Sequence, residues 1–176
     1  MRNEKGQHVS GDDPLLVLVI ICLVVSALLG FTNSVTAPIV AENERVKAEE
    51  TRQSVLPGAQ SFTEIECDAA ALGITSAYRE DSGKGYVITA GRKGYGGEVV
   101  VTVGIDGSGQ VVGLNANVST ETSGVGSKAG LPAYTDRYIG LSGNADGVDK
   151  ISGATYSSTA VRSGVNAALA AYDAIK

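Results

Sequence analysis

Apolar side chains form one long run near the start of the chain, and this run predicts a membrane-spanning helix. No charged residue occurs in 14–41, and only Ser26 and Gly30 interrupt the apolar stretch from Leu15 to Phe31. A run of about 20 apolar residues is enough for an α-helix to cross the hydrocarbon core of a bilayer. We therefore predict a transmembrane helix at 14–41, preceded by a short polar tail at 1–13.

A cleaved leader is the alternative interpretation of the same run. The segment 35–37 reads Val-Thr-Ala and resembles a cleavage site, but Pro38 would follow the cut, and Asp12 and Asp13 would lie within the leader. A pilin-type leader is disfavoured because its apolar segment would follow the cut, whereas here it precedes the sequence Gly-Phe-Thr at 30–32. We keep the anchor. Basic residues flank it on both sides, so the charge count leaves its orientation undecided.

The pattern becomes helical after residue 41 and strand-like after residue 74. Arg45 and Glu49, at i,i+4 spacing, indicate a helical stalk at 42–57 that Pro57 and Gly58 end. Segment 61–72 is ambiguous, with a weak helical tendency in its last residues. Alternating and β-rich runs then predict four strands, at 77–80, 85–90, 98–105 and 110–118.

Glycine-rich turns join these strands, and an amphipathic helix follows them. Segments 81–85 and 106–109 are typical of hairpin turns, and Gly94–Gly97 is interpreted as a third strand connection rather than a ligand contact. From Ser158 onward apolar residues recur at helical spacing, and the N-cap hydroxyls are expected from Ser157, Ser158 and Thr159. A sheet with one apolar face needs a cover. We therefore predict an α+β fold: one transmembrane helix and stalk, then a small antiparallel sheet covered by helices that include the C-terminal one.

Composition narrows the classes of function. The net charge is −5 and no basic cluster is present, which argues against a nucleic-acid partner. Cys22 and Cys67 are isolated in sequence, and the one histidine, His8, lies in the N-terminal tail. The sequence therefore predicts no metal site and no catalytic residue, since metal-based and histidine-based catalysis both lack the side chains they need.

The segment 149–159, with the sequence DKISGATYSST, carries the strongest functional signal. Thr155 lies just ahead of the predicted helix, where free N–H groups and the positive end of the helix dipole favour a phosphate. Asp149 followed by the string Ser152-Gly153-Ala154-Thr155 resembles the flavinylation motif of the FMN-binding domain family.

This resemblance implies that Thr155 carries FMN through a phosphoester bond to its hydroxyl. Ser152, Gly153 and Ala154 would adjoin the bound cofactor and, with Asp149, form the string that a flavin transferase recognises. A threonine hydroxyl is too weak a nucleophile to react unaided, and no histidine or cysteine lies nearby in sequence. The transferase is therefore expected to be a separate protein.

Further matches to the same family lie in the predicted sheet and in the loop after it. The residues 93–97, 99–106 and 111–117 resemble its strands in order and spacing, and the sequence ETSGVG at 121–126 resembles its E-T-P-G-L-G loop. Ser123 and Val125 depart from that pattern. The family places this loop near the isoalloxazine ring, which implies contacts from Glu121, Thr122, Gly124 and Gly126. A plain strand-to-helix turn is the alternative.

The function implied by the resemblance is that of the G subunits of Rnf-type ion-translocating ferredoxin:NAD oxidoreductases. These are single-pass membrane proteins whose FMN domain relays single electrons to other membrane subunits while the complex pumps sodium ions or protons. The resemblance implies a cytoplasmic tail at 1–13 and an FMN domain at 58–176 that lies outside the cytoplasm. The related C subunits of sodium-translocating quinone reductases are longer chains. Two alternatives stay open: a flavin-free tethered binding or sensory module, and a stand-alone extracytoplasmic flavin reductase.

Overall fold

The computed structural model describes residues 14–176, so the tail predicted at 1–13 lies outside the described residues. The chain forms two compact units, of which the first ends at Lys47 and the second comprises Ala48–Lys176. The assignment of 14–41 to the membrane, 42–57 to a stalk and 58–176 to one domain stays a prediction.

Helix α1, Pro14–Val55, joins the predicted anchor and stalk in one uninterrupted element of 42 residues, with Pro38 inside it. About 20 residues are enough for a helix to cross a bilayer's hydrocarbon core, so α1 has about twice as many residues as one span needs. Among the described residues, α1 is the one helix long and apolar enough to span a membrane. This is consistent with a single-pass anchor in its apolar first half.

Five strands form one antiparallel sheet in which each strand pairs with its neighbour in sequence, in the order β1-β2-β3-β4-β5. The strands are Phe62–Glu64, Ser76–Glu80, Gly85–Lys93, Glu98–Asp106 and Val111–Asn117. The four strands predicted from the pattern are thus confirmed as β2 to β5, and the hairpin turns are confirmed with them. Strand β1 was missed because its three residues are too few to show a period of two.

Short helices complete the body of the second unit. Helix α2, Ala69–Leu72, matches the weak helical tendency near residue 70; Asp68 caps its start and Gly73, at φ +67°, ends it. Helix α3, Pro132–Thr135, lies between 3₁₀ turns at Gly126–Gly130 and Asp136–Tyr138. Helix α4, Thr155–Ile175, is the predicted amphipathic helix.

Helix α4 covers one face of the sheet and forms the main core with it. Gly164 lets α4 lie close to β4, because a Cβ at this position would come within 2.8 Å of the Val101 side chain. The buried core residues include Ile88, Val99, Val101, Val103 and Ile105 from the sheet and Val161, Val165, Ala168 and Leu169 from α4. The predicted α+β fold with a helix-covered antiparallel sheet is therefore confirmed.

The other face of the sheet is covered by the last turn of α1 and the residues that follow it. Val55, Leu56 and Ala59 form a small buried cluster with Val87 of β3. Gly104 and Gly113 are cross-strand partners, and a Cβ on either would collide with the backbone carbonyl oxygen of Val55. The two glycines therefore make the notch into which the end of α1 fits.

Candidate functional site

Helix α4 begins at Thr155, three positions earlier than the sequence pattern indicated. Ala154 is the N-cap residue and supplies no side-chain hydrogen bond. The prediction of N-cap hydroxyls from Ser157, Ser158 and Thr159 was therefore wrong, since these residues lie inside the first turns. Ser157 and Ser158 are buried, and both hydroxyls bond inward to the protein.

The loop before α4 is held in place by Ser158. Its hydroxyl donates to the carbonyl oxygen of Ala154 at 2.8 Å and accepts the backbone N–H of Ile151 at 3.2 Å. Gly153 has φ +80°, a backbone conformation that L side chains rarely adopt. The loop therefore turns sharply and ends with Thr155 at the first helical position.

Thr155 is exposed at the point where an anion is best accommodated. The first N–H of α4 to find a helical acceptor is that of Ser158, which donates to Ala154 at 2.9 Å. The N–H groups of the first three helical residues therefore have no acceptor within the helix, and the helix dipole places positive charge at the same end. A phosphate on the Thr155 hydroxyl would lie within this field.

A cavity of about 250 Å³ opens beside Thr155, between the start of α4 and two loops. Of the predicted site residues, five line it: Thr122, Gly126, Gly153, Ala154 and Thr155. Four others do not: Asp149, Ser152, Glu121 and Gly124. Asp149 lines a separate cavity with Arg137 and Val148. The structure thus brings together Thr155 and the loop that follows β5, which the sequence separates by about 30 residues.

Four further residues line the same cavity and were not predicted as site residues: Tyr95, Val125, Tyr156 and Ser157. The ring centroids of Tyr95 and Tyr156 lie 6.2 Å apart, although the two side chains are 74% and 70% exposed. The turn Gly94–Gly97 is the predicted connection of β3 to β4, yet its tyrosine also reaches the cavity. The sequence did contain a signal that could have identified Tyr95 as a site residue. An aromatic side chain at the tip of a glycine-rich turn is not expected to pack into the core.

Gly126 permits the close approach of the loop to α4. A Cβ at Gly126 would lie 2.6 Å from the hydroxyl oxygen of Ser157 and 2.9 Å from Cβ of Glu121. Gly124, at φ +75°, allows the loop to turn, and its N–H donates to the Ser127 hydroxyl at 2.9 Å. Both glycines therefore serve the shape of the loop.

Glu121 lies behind the cavity wall rather than in it and is only 7% exposed. Burial by itself raises the pKa of this carboxyl, but hydrogen bonds from the Ser157 hydroxyl and from the N–H groups of Gly96, Tyr95 and Gly97 together lower it below its ordinary value. Glu121 is therefore ionised at neutral pH, with its charge matched by four donors.

The surroundings of Thr155 differ in charge on the two sides of Tyr156. Of the described residues, none that lines the first cavity carries a charge. A second cavity, of about 260 Å³, shares Thr155 and Tyr156 with the first and is also lined by Arg92 and Lys93. Within 14–176 no group of three or more histidine, cysteine or acidic side chains could hold a metal ion.

This arrangement suits a ligand with an apolar planar part and an anionic end. The first cavity is smaller than the roughly 300–1,000 Å³ of typical ligand sites, so it would take a ring system rather than a whole nucleotide. The anionic end would lie at Thr155, near the helix terminus and the two cations. FMN has both parts, and the residues present therefore fit it.

Comparison with known proteins agrees with this chemistry. A family model described as the FMN-binding domain matches residues 94–170. The chain is also similar to the G subunit of the Na(+)-translocating ferredoxin:NAD(+) oxidoreductase complex from Acetobacterium woodii, with 30% identity over 185 residues. That match covers 89% of each of the two chains.

Proposed function

We propose that this chain, which belongs to the FMN-binding domain family and is related to the G subunit of an Rnf-type complex, is a membrane-anchored electron carrier. FMN would be bound covalently to Thr155. The observation that carries the proposal is the position of Thr155. Its exposed side chain lies at the first position of α4, at the junction of an uncharged cavity and a cavity with two cations.

The residues around Thr155 would bind and orient the cofactor. The phosphate would lie against the free N–H groups of the first turn of α4, and Arg92 and Lys93 would balance its charge. The ring would enter the uncharged cavity, with Tyr95 and Val125 among its walls. FMN, when bound, would accept and release electrons, and the protein would set its position and surroundings.

Attachment would require a partner, because among residues 14–176 no histidine, cysteine or carboxylate that could act as the base lines either cavity beside Thr155. The carboxylate behind Ser157 is already engaged by four donors. A flavin transferase would supply an activated flavin nucleotide. The Thr155 oxygen would form a new bond to the flavin phosphate while the P–O bond between that phosphate and the activating phosphate group breaks. The activating group would leave with the electron pair of that bond, and the hydroxyl proton would pass to a base of the transferase.

The relative from Acetobacterium woodii is named as one subunit of a complex, and we extend this to the chain. The anchored domain would pass electrons to and from other membrane subunits of an Rnf-type ferredoxin:NAD oxidoreductase that moves sodium ions or protons. Its domain would lie outside the cytoplasm. A carrier held by a membrane helix needs neighbouring subunits both to deliver electrons and to remove them.

The test is the intact mass and the in-gel flavin fluorescence of the denatured protein, expressed with a flavin transferase. The wild type is expected to gain the mass of one FMN less water and to fluoresce after denaturation. Thr155→Val should lose both signals, because it keeps the shape of the side chain but removes the oxygen. Thr63→Val is the matched control, since it removes an exposed threonine hydroxyl that lines neither cavity and should leave both signals unchanged.

An unmodified mass in the presence of an active transferase would contradict the proposal. The flavin-free tethered module would then account for the protein. Flavin that is retained by Thr155→Val would instead place the attachment elsewhere in the chain.

A further inference from the structure

One buried carboxylate joins two elements on either side of the proposed flavin site. Oε1 of Glu121 accepts the N–H groups of Gly96 at 2.9 Å and Gly97 at 3.4 Å, and Oε2 accepts that of Tyr95 at 3.2 Å. The hydroxyl of Ser157, in the first turn of α4, donates to the same Oε2. The β3–β4 turn and the start of α4 are therefore bonded to one side chain.

Glycines keep the space that this side chain needs. A Cβ at Gly94 would collide with the carboxylate and lie 2.9 Å from its carbon. A Cβ at Gly96 would collide with the carbonyl oxygen of Thr120, next to Glu121 in the chain. The turn can therefore close over Glu121 only because these positions carry no side chain.

We propose that Glu121 is a positioning residue, whose carboxylate clamps the β3–β4 turn to the first turn of α4 and so holds the ring of Tyr95 over the cavity at Thr155. The inference rests on the proposed function, because it assigns the clamp to the flavin site. Glu121 does not line the cavity and would act through Tyr95 and Ser157 rather than by touching the flavin. This role replaces the direct contact expected from the sequence.

The first test needs no flavin and uses the full chain, unloaded, in detergent. Hydrogen exchange of the backbone amides at 95–97 is measured by mass spectrometry in wild type, Glu121→Ala and Glu121→Gln. We expect exchange about tenfold faster or more in Glu121→Ala, because the amides lose their acceptor. Glu121→Gln should lie between the two, since an amide oxygen still accepts. Glu98→Gln, which neutralises an exposed carboxylate beyond the same turn, should match the wild type.

The second test uses the flavin-loaded full chain and compares flavin emission before and after denaturation. A tyrosine ring in contact with flavin quenches its emission, so the folded wild type should be several-fold dimmer. Tyr95→Leu and Glu121→Ala should each remove much of this difference. The double variant should exceed neither, because both act on one contact. Leu169→Ala weakens the distant core and should leave the ratio unchanged, which separates positioning from general destabilisation.

Each outcome decides the proposal. Unchanged exchange at 95–97 in Glu121→Ala would overturn the clamp. A rise in emission in Tyr95→Leu without one in Glu121→Ala would overturn the positioning role. A chain that gains no flavin mass would refute the proposed function, and faster exchange in Glu121→Ala would then identify a structural contact only, so the positioning role would fall with it.

Discussion

At the scale of single residues, Thr155 is available because its hydroxyl-bearing neighbours face inward. Ser157 and Ser158 bond to Glu121 and to the loop before α4, which leaves the threonine as the exposed hydroxyl at the first position of the helix. The motif was enough to single out Thr155. It could not predict the inward serines, because a run of hydroxyls has the same pattern at an N-cap as in a first turn. Ser157 meets its acceptor 36 positions away in the chain.

The charge of Glu121 should be visible in the pH dependence of stability. Hydrogen bonds lower its pKa in the folded chain below the ordinary value of 4.5, so it stabilises the fold fully above that pH. This contribution is lost as the pH falls from there through the folded pKa. We expect the difference in unfolding free energy between wild type and Glu121→Gln to be constant near neutral pH and to shrink in acid.

Denaturant unfolding at a series of pH values measures this difference, with Glu98→Gln as the control. A difference that stays the same from neutral pH down to about pH 3, below the ordinary pKa of a glutamate, would show that the charge of Glu121 does not stabilise the fold.

At the scale of elements, the sequence predicted the strands and the helix that have a recognisable residue pattern, and it did not predict the contact between the end of α1 and the sheet. Strands β2 to β5 were visible as runs of β-rich residues bounded by turn sequences, and helix α4 was visible because its apolar residues recur with a period of 3.6. The second sheet face was not predicted to have a partner. The notch on this face consists of Gly104 and Gly113. A glycine within a strand does not indicate, from sequence alone, which other segment of the chain packs against it.

Gly113→Ala should therefore destabilise the second unit. The added Cβ would meet the backbone of Val55, which cannot rotate away as a side chain could. We expect a loss of about 1–3 kcal/mol in the free energy of unfolding, or more. Gly147→Ala is the control, because nothing lies within 4 Å of a Cβ at that exposed position. Equal melting temperatures for the two variants would argue against the notch.

At the scale of the whole molecule, the two faces of the sheet in the second unit are covered by elements from widely separated parts of the chain. Helix α4 covers one face of the sheet, and the end of α1 covers the other. The unit accordingly begins at Ala48, within α1, rather than after the helix. The last turns of the helix that carries the predicted anchor are thus also part of the fold of the second unit.

A soluble fragment should therefore need those turns. Fragment 48–176 keeps Val55 and Leu56, whereas fragment 58–176 loses both from the sheet. Each buried side chain of this size contributes about 1.5–3 kcal/mol, so the shorter fragment should melt at a clearly lower temperature and expose apolar surface. Thermal unfolding followed by circular dichroism compares the two. Fragments of equal stability would mean that the end of α1 is dispensable.

The order of elements along the chain also has a consequence for biogenesis. Every strand pairs with its neighbour in sequence, so the sheet can assemble stepwise as the chain is synthesised. Its core face nevertheless lacks its main helical cover until α4, which follows all five strands, has been made. Because Thr155 is the first residue of α4, the residue proposed to accept FMN is synthesised only after all five strands. Under the proposed function, the transferase would therefore meet a chain whose strands are already made but which does not yet carry flavin.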